Sequence, residues 1–179
     1  MSIWIALFRG INVGGKNVLP MKDLDALLEG LGGTGIRTYI QSGNAVLSVD
    51  DVDGLALEER IADAVLTAHG LRPRVMVLTS EQLGQAVAAN PFPDAESEPK
   101  SLHLFFLSRR PASPDLEGLN AVKADSESFV LAEDVFYLHA PDGIGRSKIV
   151  ARAERLIGVD VTARNWRTVT KVLEMATQV

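Results

Sequence analysis

The chain has 179 residues, 46% of them hydrophobic and 23% charged. That excludes a disordered or low-complexity protein and leaves room for one domain or two small ones. Without cysteine there are no disulfides, thiolate chemistry or cysteine metal sites, and a reducing, cytoplasmic setting is the expectation. The net charge of −5 argues against a protein that coats nucleic acid unaided. No membrane association is expected, since the first apolar run is too short to span a bilayer and no basic segment precedes it.

Ile3–Phe8 reads as a buried strand, and Arg9-Gly10-Ile11-Asn12-Val13-Gly14-Gly15-Lys16 follows it. Three glycines, two cations and an Asn amide at a strand end predict a backbone that wraps an anion. Gly10 to Lys16 also fits the opening of a P-loop pattern, G-x-x-x-x-G-K. That match is rejected, because Asn17 offers no hydroxyl for Mg²⁺ and Pro20 delays the helix. The helix then carries Leu24, Leu27, Leu28 and Leu31 at helical spacing and stops at Gly32-Gly33. Ile36–Gln41 and Ala45–Val49 are β-rich runs joined by Ser42-Gly43-Asn44, which predicts a tight hairpin. Leu57, Ile61, Val65 and Ala68 mark a second helix ended by Gly70, and Val75–Leu78 supply a fourth strand. The order β-α-β-β-α-β is the split βαβ arrangement of a ferredoxin-like unit.

A connecting helix follows, with Thr79 and Gln82 spaced as a capping box and Asn90-Pro91 at its end. Residues 91–99, rich in proline and acids, read as a linker or mobile loop. The second half repeats the order. Leu102–Leu107 is a strand, and Ser113-Pro114 opens a short helix with Leu116, Leu119 and Val122 inward. Phe129–Leu131 and Val135–Leu138 pair across Glu133-Asp134. Gly143-Ile144-Gly145-Arg146-Ser147-Lys148 feeds a helix with Ile149, Ala153, Leu156 and Ile157 inward. Val159–Ala163 is a short closing strand, and a last helix from about Asn165 buries Trp166, Val169, Leu173 and Ala176. The expected fold class is therefore α+β with two ferredoxin-like units. Residues 1–79 form the first, 80–100 a connecting helix and loop, and 101–179 the second with a C-terminal helix.

Charge is uneven. Acids dominate residues 51–140, whereas Arg146, Lys148, Arg152, Arg155, Arg164, Arg167 and Lys171 make the last fifth locally basic. The Gly143–Lys148 loop is stereochemically the better anion site, since it runs straight into a helix start that Ser147 can cap, with Arg146 and Lys148 as clamps. Arg164, Asn165 and Arg167 stand at a capped helix start, where Arg presents a planar fork to phosphate or carboxylate. Trp166 is assigned to the core in preference to a base-stacking platform. Gln41, Ser42 and Asn44 are hairpin residues unless they face the same ligand as Lys16. His69, His103 and His139 lack metal-ligand spacing, and the latter two read as buried, satisfied histidines. Asp50, Asp51, Asp53, Glu58 and Glu59 read as loop and helix-start charges. No metal site, cofactor or catalytic residue is indicated.

The runs ALFRGINVGGKNVLPM, IRTYIQSGNAV, GIGRSK and TARNWRTVTK together resemble the bacterial domain-of-unknown-function family 1697. The resemblance extends over nearly the whole chain and implies two ferredoxin-like units, without an established activity. Its pattern matches Arg9, Gly10, Asn12, Gly14, Gly15, Lys16, Gln41, Ser42, Gly43, Asn44, Ser147, Lys148, Arg164, Asn165 and Trp166. Ala163 departs from it where a second Thr is common. The leading expectation is a phosphate-bearing ligand, a nucleotide or an RNA segment, bound between the glycine-rich loops. Lys16, Lys148 and Arg164 would neutralise its charge, and Asn12, Gln41 and Asn44 would orient it. The alternatives are a small transferase or hydrolase acting on a phosphorylated metabolite, and a non-enzymatic interaction protein whose polar motifs are structural.

Overall fold

The computed structural model describes residues 2–50 and 52–179, so Asp51, one of the expected loop charges, lies outside the described residues. Its contacts divide the chain into two compact units. One runs up to Gln85 and regains Lys171–Val179; the other is Ala86–Thr170.

In the first unit β1 (Ser2–Arg9), α1 (Met21–Gly30), β2 (Thr34–Tyr39), β3 (Asn44–Val49), α2 (Gly54–His69) and β4 (Arg74–Thr79) follow in turn, and α3 (Ser80–Ala88) leaves the sheet. The strands form an antiparallel sheet in the order β2-β3-β1-β4. Strand alternation sends Trp4, Ala6 and Phe8 of β1 and Ala45, Leu47 and Val49 of β3 to one face. There they meet Leu24 and Leu28 of α1 and Leu57, Ile61 and Val65 of α2. Burying each such side chain stabilises the unit by about 1.5–3 kcal/mol. Ile5, Leu7 and Val46, on the opposite face, are also buried. Burial on both faces explains why β1 and β3 read as near-continuous apolar runs with little alternation. The edge strand β4 is protected from α2, where Glu58 Oε1 accepts from Val77 N–H at 2.8 Å.

The second unit repeats this plan with β5 (Leu102–Leu107), α4 (Leu116–Val122), β6 (Ser128–Leu131), β7 (Val135–His139), α5 (Lys148–Ile157) and β8 (Val161–Asn165). Its sheet order is β6-β7-β5-β8. Phe105 packs edge-on to Phe136 at 5.5 Å, and Phe129 stacks on Phe136 at 5.3 Å. Leu119, Ile149, Ala153 and Ile157 cover them. Here too a helix carboxylate serves the edge strand: Glu154 Oε1 accepts from Val161 N–H at 3.2 Å. The last helix, α6 (Trp166–Ala176), runs from this unit into the first.

The expected capping box is present, with Thr79 N–H donating to Gln82 Oε1 at 2.8 Å and Gln82 N–H to Thr79 Oγ1 at 3.1 Å. Several boundaries differ from expectation. The β2–β3 turn is Ile40–Gly43, and Asn44 belongs to the strand, paired with Tyr39. Helix α4 begins only at Leu116, because Asp115 Oδ1 accepts from Gly118 N–H at 2.8 Å and sets the start. Leu116, in that first turn, is 47% exposed instead of inward. The closing strand lies two residues later than expected, at Val161–Asn165, since Gly158 first ends α5 in a left-handed conformation. Residues 91–99 hold a 3-10 turn, Pro93–Ser97, in place of an open linker. Asn90 organises it, donating to Glu96 Oε1 at 2.8 Å and accepting from Phe92 N–H at 3.0 Å.

Candidate functional site

In a βαββαβ unit the chain direction decides which loops share an end of the sheet. The β1–α1 loop, the β2–β3 turn and the α2–β4 connection lie at one end. The α–β connection before the central hairpin and the loop that starts the second helix lie at the other. Each glycine motif is built by such neighbours.

At the first end of unit 1, Asn12 adopts φ 52°. Its Oδ1 accepts from Leu19 N–H, and its Nδ2 donates to Leu19 O and Gln41 O, each at 2.8 Å. Both amide hydrogens are thereby used, one closing the loop on Leu19 and the other fastening it to the β2–β3 turn. Between them Val13 and Lys16 form a β-bridge. Gly14 and Gly15 have φ 58° and 72°, a tight two-residue turn in which Lys16 N–H bonds Val13 O at 3.0 Å. The glycines thus turn a small hairpin whose tip, with Lys16, is exposed. Gly43 closes the arrangement. Phe8 N–H donates to its carbonyl at 2.9 Å, its φ is 85°, and a Cβ there would stand 2.5 Å from Ile11 and 2.7 Å from Phe8. Asn44 is fully buried and donates to Tyr39 O at 2.9 Å. Gln41 and Ser42 are exposed at the turn. Arg9 and Gly10 line a hollow of about 460 Å³ with Asn17, Arg72 and Arg74. Arg9 and Arg74 stand opposite each other across β1 and β4, and Arg72 is braced by Glu59 and Asp63.

In unit 2 the loop after β7 has a different character. Gly143, at φ 85°, donates to Ala140 O at 2.9 Å, and Ser147 Oγ caps α5 by accepting from Val150 N–H at 3.3 Å. Gly143, Gly145, Arg146, Ser147 and Lys148 all line one open hollow of about 630 Å³. The same hollow is lined by Val122 at the end of α4 and by Lys123, Ser126 and Glu127 of the α4–β6 connection. Among the described residues Lys123, Arg146 and Lys148 make no ion pair, and the main-chain N–H groups of Gly145 and Arg146 find no protein acceptor. On the other side of Gly143 a smaller hollow of about 300 Å³ is lined by Lys100, Ser101 and Arg167. Arg167 is therefore near the loop. Arg164 lines neither hollow: it lies on β8 opposite Leu104, Nη1 donates to Ala163 O at 2.9 Å, and burial pulls its guanidinium down to about 10. Asn165 Oδ1 caps α6 through Thr168 N–H at 2.9 Å, and Trp166 is core.

Lys123, Glu127 and Lys100 were not singled out in the sequence, because no local motif marks them. Knowledge that the α4–β6 connection and the β7–α5 loop share one sheet end would have found the first two. His103 is buried as expected; burial lowers its pKa, a backbone hydrogen bond at Ser101 opposes this, and Nδ1 makes no hydrogen bond of normal geometry among the described residues. His139 rests against the Phe92 ring at 5.9 Å. Among the described residues no three His, Cys, Asp or Glu side chains are grouped to hold a metal, and no helix is long and apolar enough to cross a membrane.

Fold and site together define an α+β protein of two ferredoxin-like units, one of which presents a basic glycine loop at a helix start. The chain belongs to the DUF1697 family, described as protein of unknown function, whose model matches residues 1–137. That span includes the Arg9–Lys16 and Gln41–Asn44 motifs and the wall formed by Lys123 and Glu127, and it ends before Gly143. Among solved structures the conserved bacterial protein SP0830 from Streptococcus pneumoniae is similar, at 22% identity over 98% of each chain with a TM-score of 0.66. At that identity the likeness speaks for the fold. No curated protein matches the chain.

Proposed function

We propose that the protein binds a phosphate-bearing ligand, a nucleotide or an RNA segment, in the hollow at the start of α5. The observation that carries this is the electrostatic setting of that helix. Its N-terminus holds the positive end of the dipole, which favours acids, yet Arg146 precedes the cap, Lys148 occupies the first turn and no acid stands there. An anion seated on the Gly145 and Arg146 N–H groups relieves that conflict and gives Lys123, Arg146 and Lys148 a counter-charge. The Arg9–Lys16 and Gln41–Asn44 motifs contribute less than their sequences suggest, because Asn12 and Asn44 are bonded inside the unit. For those residues a structural role is the better account.

The test is a thermal-shift series with inorganic phosphate, nucleotides and short RNAs on the wild type and Lys148→Ala. A ligand at about a hundred times its Kd stabilises the native state by about 2.7 kcal/mol, a shift easily read on a melting curve. Lys148→Ala is expected to lose most of it. If no phosphate-bearing compound raises the wild-type melting point, the proposal fails. A steep loss of binding with rising salt marks RNA, and a shallow one a small nucleotide.

A further inference from the structure

The same hollow contains carboxylates that a phosphate alone does not explain. Glu127 lines it although the residue is only 5% exposed. Its Oε2 accepts from Ala124 N–H at 3.0 Å, and among the described residues its Oε1 has no hydrogen-bond partner. That oxygen is open to the hollow, where a donor from outside the chain can reach it while the rest of the side chain is held by burial and the Ala124 bond. Asp142, on the glycine loop, lines the same space. Ser126 Oγ donates to its Oδ2 at 2.6 Å, and its other oxygen has no partner among the described residues.

Resting on the phosphate-binding reading above, we infer that this hollow takes a phosphate monoester carried on a hydroxyl-rich frame, the chemistry shared by sugar phosphates and mononucleotides. The phosphate sits at the start of α5 against Lys123, Arg146 and Lys148. The hydroxyls of the frame donate to Glu127 Oε1 and to the Asp142 oxygen that Ser126 does not use, since carboxylate oxygens accept hydrogen bonds. Val122 and Ala124 add apolar surface to the same hollow. A volume of about 630 Å³ suits a small molecule. A nucleic-acid strand suits it poorly, because its further phosphates would meet the same two carboxylates.

The test is calorimetric titration of the full chain with inorganic phosphate, ribose 5-phosphate, AMP and a short single-stranded RNA. The expected result is that ribose 5-phosphate, AMP or both bind about tenfold or more tightly than inorganic phosphate, as one charge-assisted hydrogen bond provides. Equal affinity for the two assigns the frame to the sugar alone, and tighter AMP assigns it to a nucleotide. Glu127→Gln is expected to weaken the sugar ester about tenfold while leaving inorganic phosphate unchanged or tighter, because a repelling charge is removed. Asp142→Asn, at an exposed position, repeats the effect in smaller measure and keeps the test decisive if Glu127→Gln melts abnormally without ligand. If RNA binds best, if the sugar ester binds no better than inorganic phosphate, or if Glu127→Gln tightens every ligand alike, the hydroxyl assignment is overturned and the phosphate site stands. If none of the four binds, both fall.

Discussion

Helices α2 and α5 hold corresponding places in their units, end on left-handed glycines at Gly70 and Gly158, and send a carboxylate to the neighbouring edge strand. They begin in opposite settings. Asp53 caps α2, accepting from Ala56 N–H at 3.0 Å, and Asp50 precedes it, so acids already complement the dipole. Ser147 caps α5 between Arg146 and Lys148, after a glycine loop. The fold needs a cap at both places and asks for cations at neither. What differs between the two starts is therefore the better guide to function than what they share.

Four outcomes sharpen or break that contrast. The largest concerns the structural loops of unit 1. Gly43→Ala combines a positive φ with a collision against Ile11 and Phe8, and should cost about 3 kcal/mol in urea unfolding. A loss below about 1 kcal/mol means the turn can shift and is less constrained than its contacts imply. Next come the two loop glycines of unit 2. Gly143→Ala should cost about 1–2 kcal/mol, because its φ is 85° although a Cβ would meet open space. Gly145→Ala has neither problem and should stay within about 0.5 kcal/mol of wild type while weakening phosphate binding. A stability loss at Gly145 equal to that at Gly143 would make the loop's composition a folding matter.

Third, Lys148→Glu gives the start of α5 an acid, as Asp53 does for α2 from the cap position. Without ligand it should raise stability by about 0.5 kcal/mol and abolish anion binding. Lower stability in the unliganded protein would remove the conflict on which the proposal rests. The smallest effect is at Glu58. Burial raises its carboxyl above the ordinary 4.5, the Val77 N–H bond opposes this, and neighbouring Glu59 adds to it. The folded state therefore holds the proton more tightly than the unfolded chain. Glu58's contribution is complete below about pH 4.5 and is lost as pH rises through the folded value. Across that window the urea midpoint of wild type should decline with rising pH more than that of Glu58→Gln. Parallel curves would show that burial does not govern this carboxyl.

Element order and type were legible along the chain because they rest on local signals: the leucine spacing of α1, the apolar run of β1, the Thr79–Gln82 box and the glycines that end α2 and α5. Errors fell where a side chain overrode the pattern. Asp115 set the start of α4 later than Ser113-Pro114 suggested, and Asn90 folded an apparent linker into a 3-10 turn. The candidate site was half legible. Gly143–Lys148 announced itself by composition, whereas Lys123 and Glu127 come from a stretch with no motif.

Local periodicity and capping, each acting within a few residues, determined two βαββαβ units, a capped α5 and a basic tail. Tertiary structure decided what the polar residues do. It turned Asn12 toward Leu19 and Gln41, placed Arg164 in a strand facing Leu104, and brought the α4–β6 connection beside the glycine loop. A hydrogen bond or a hollow depends on distances between segments far apart in the chain, and chain direction through the sheet fixes those only once the fold has closed.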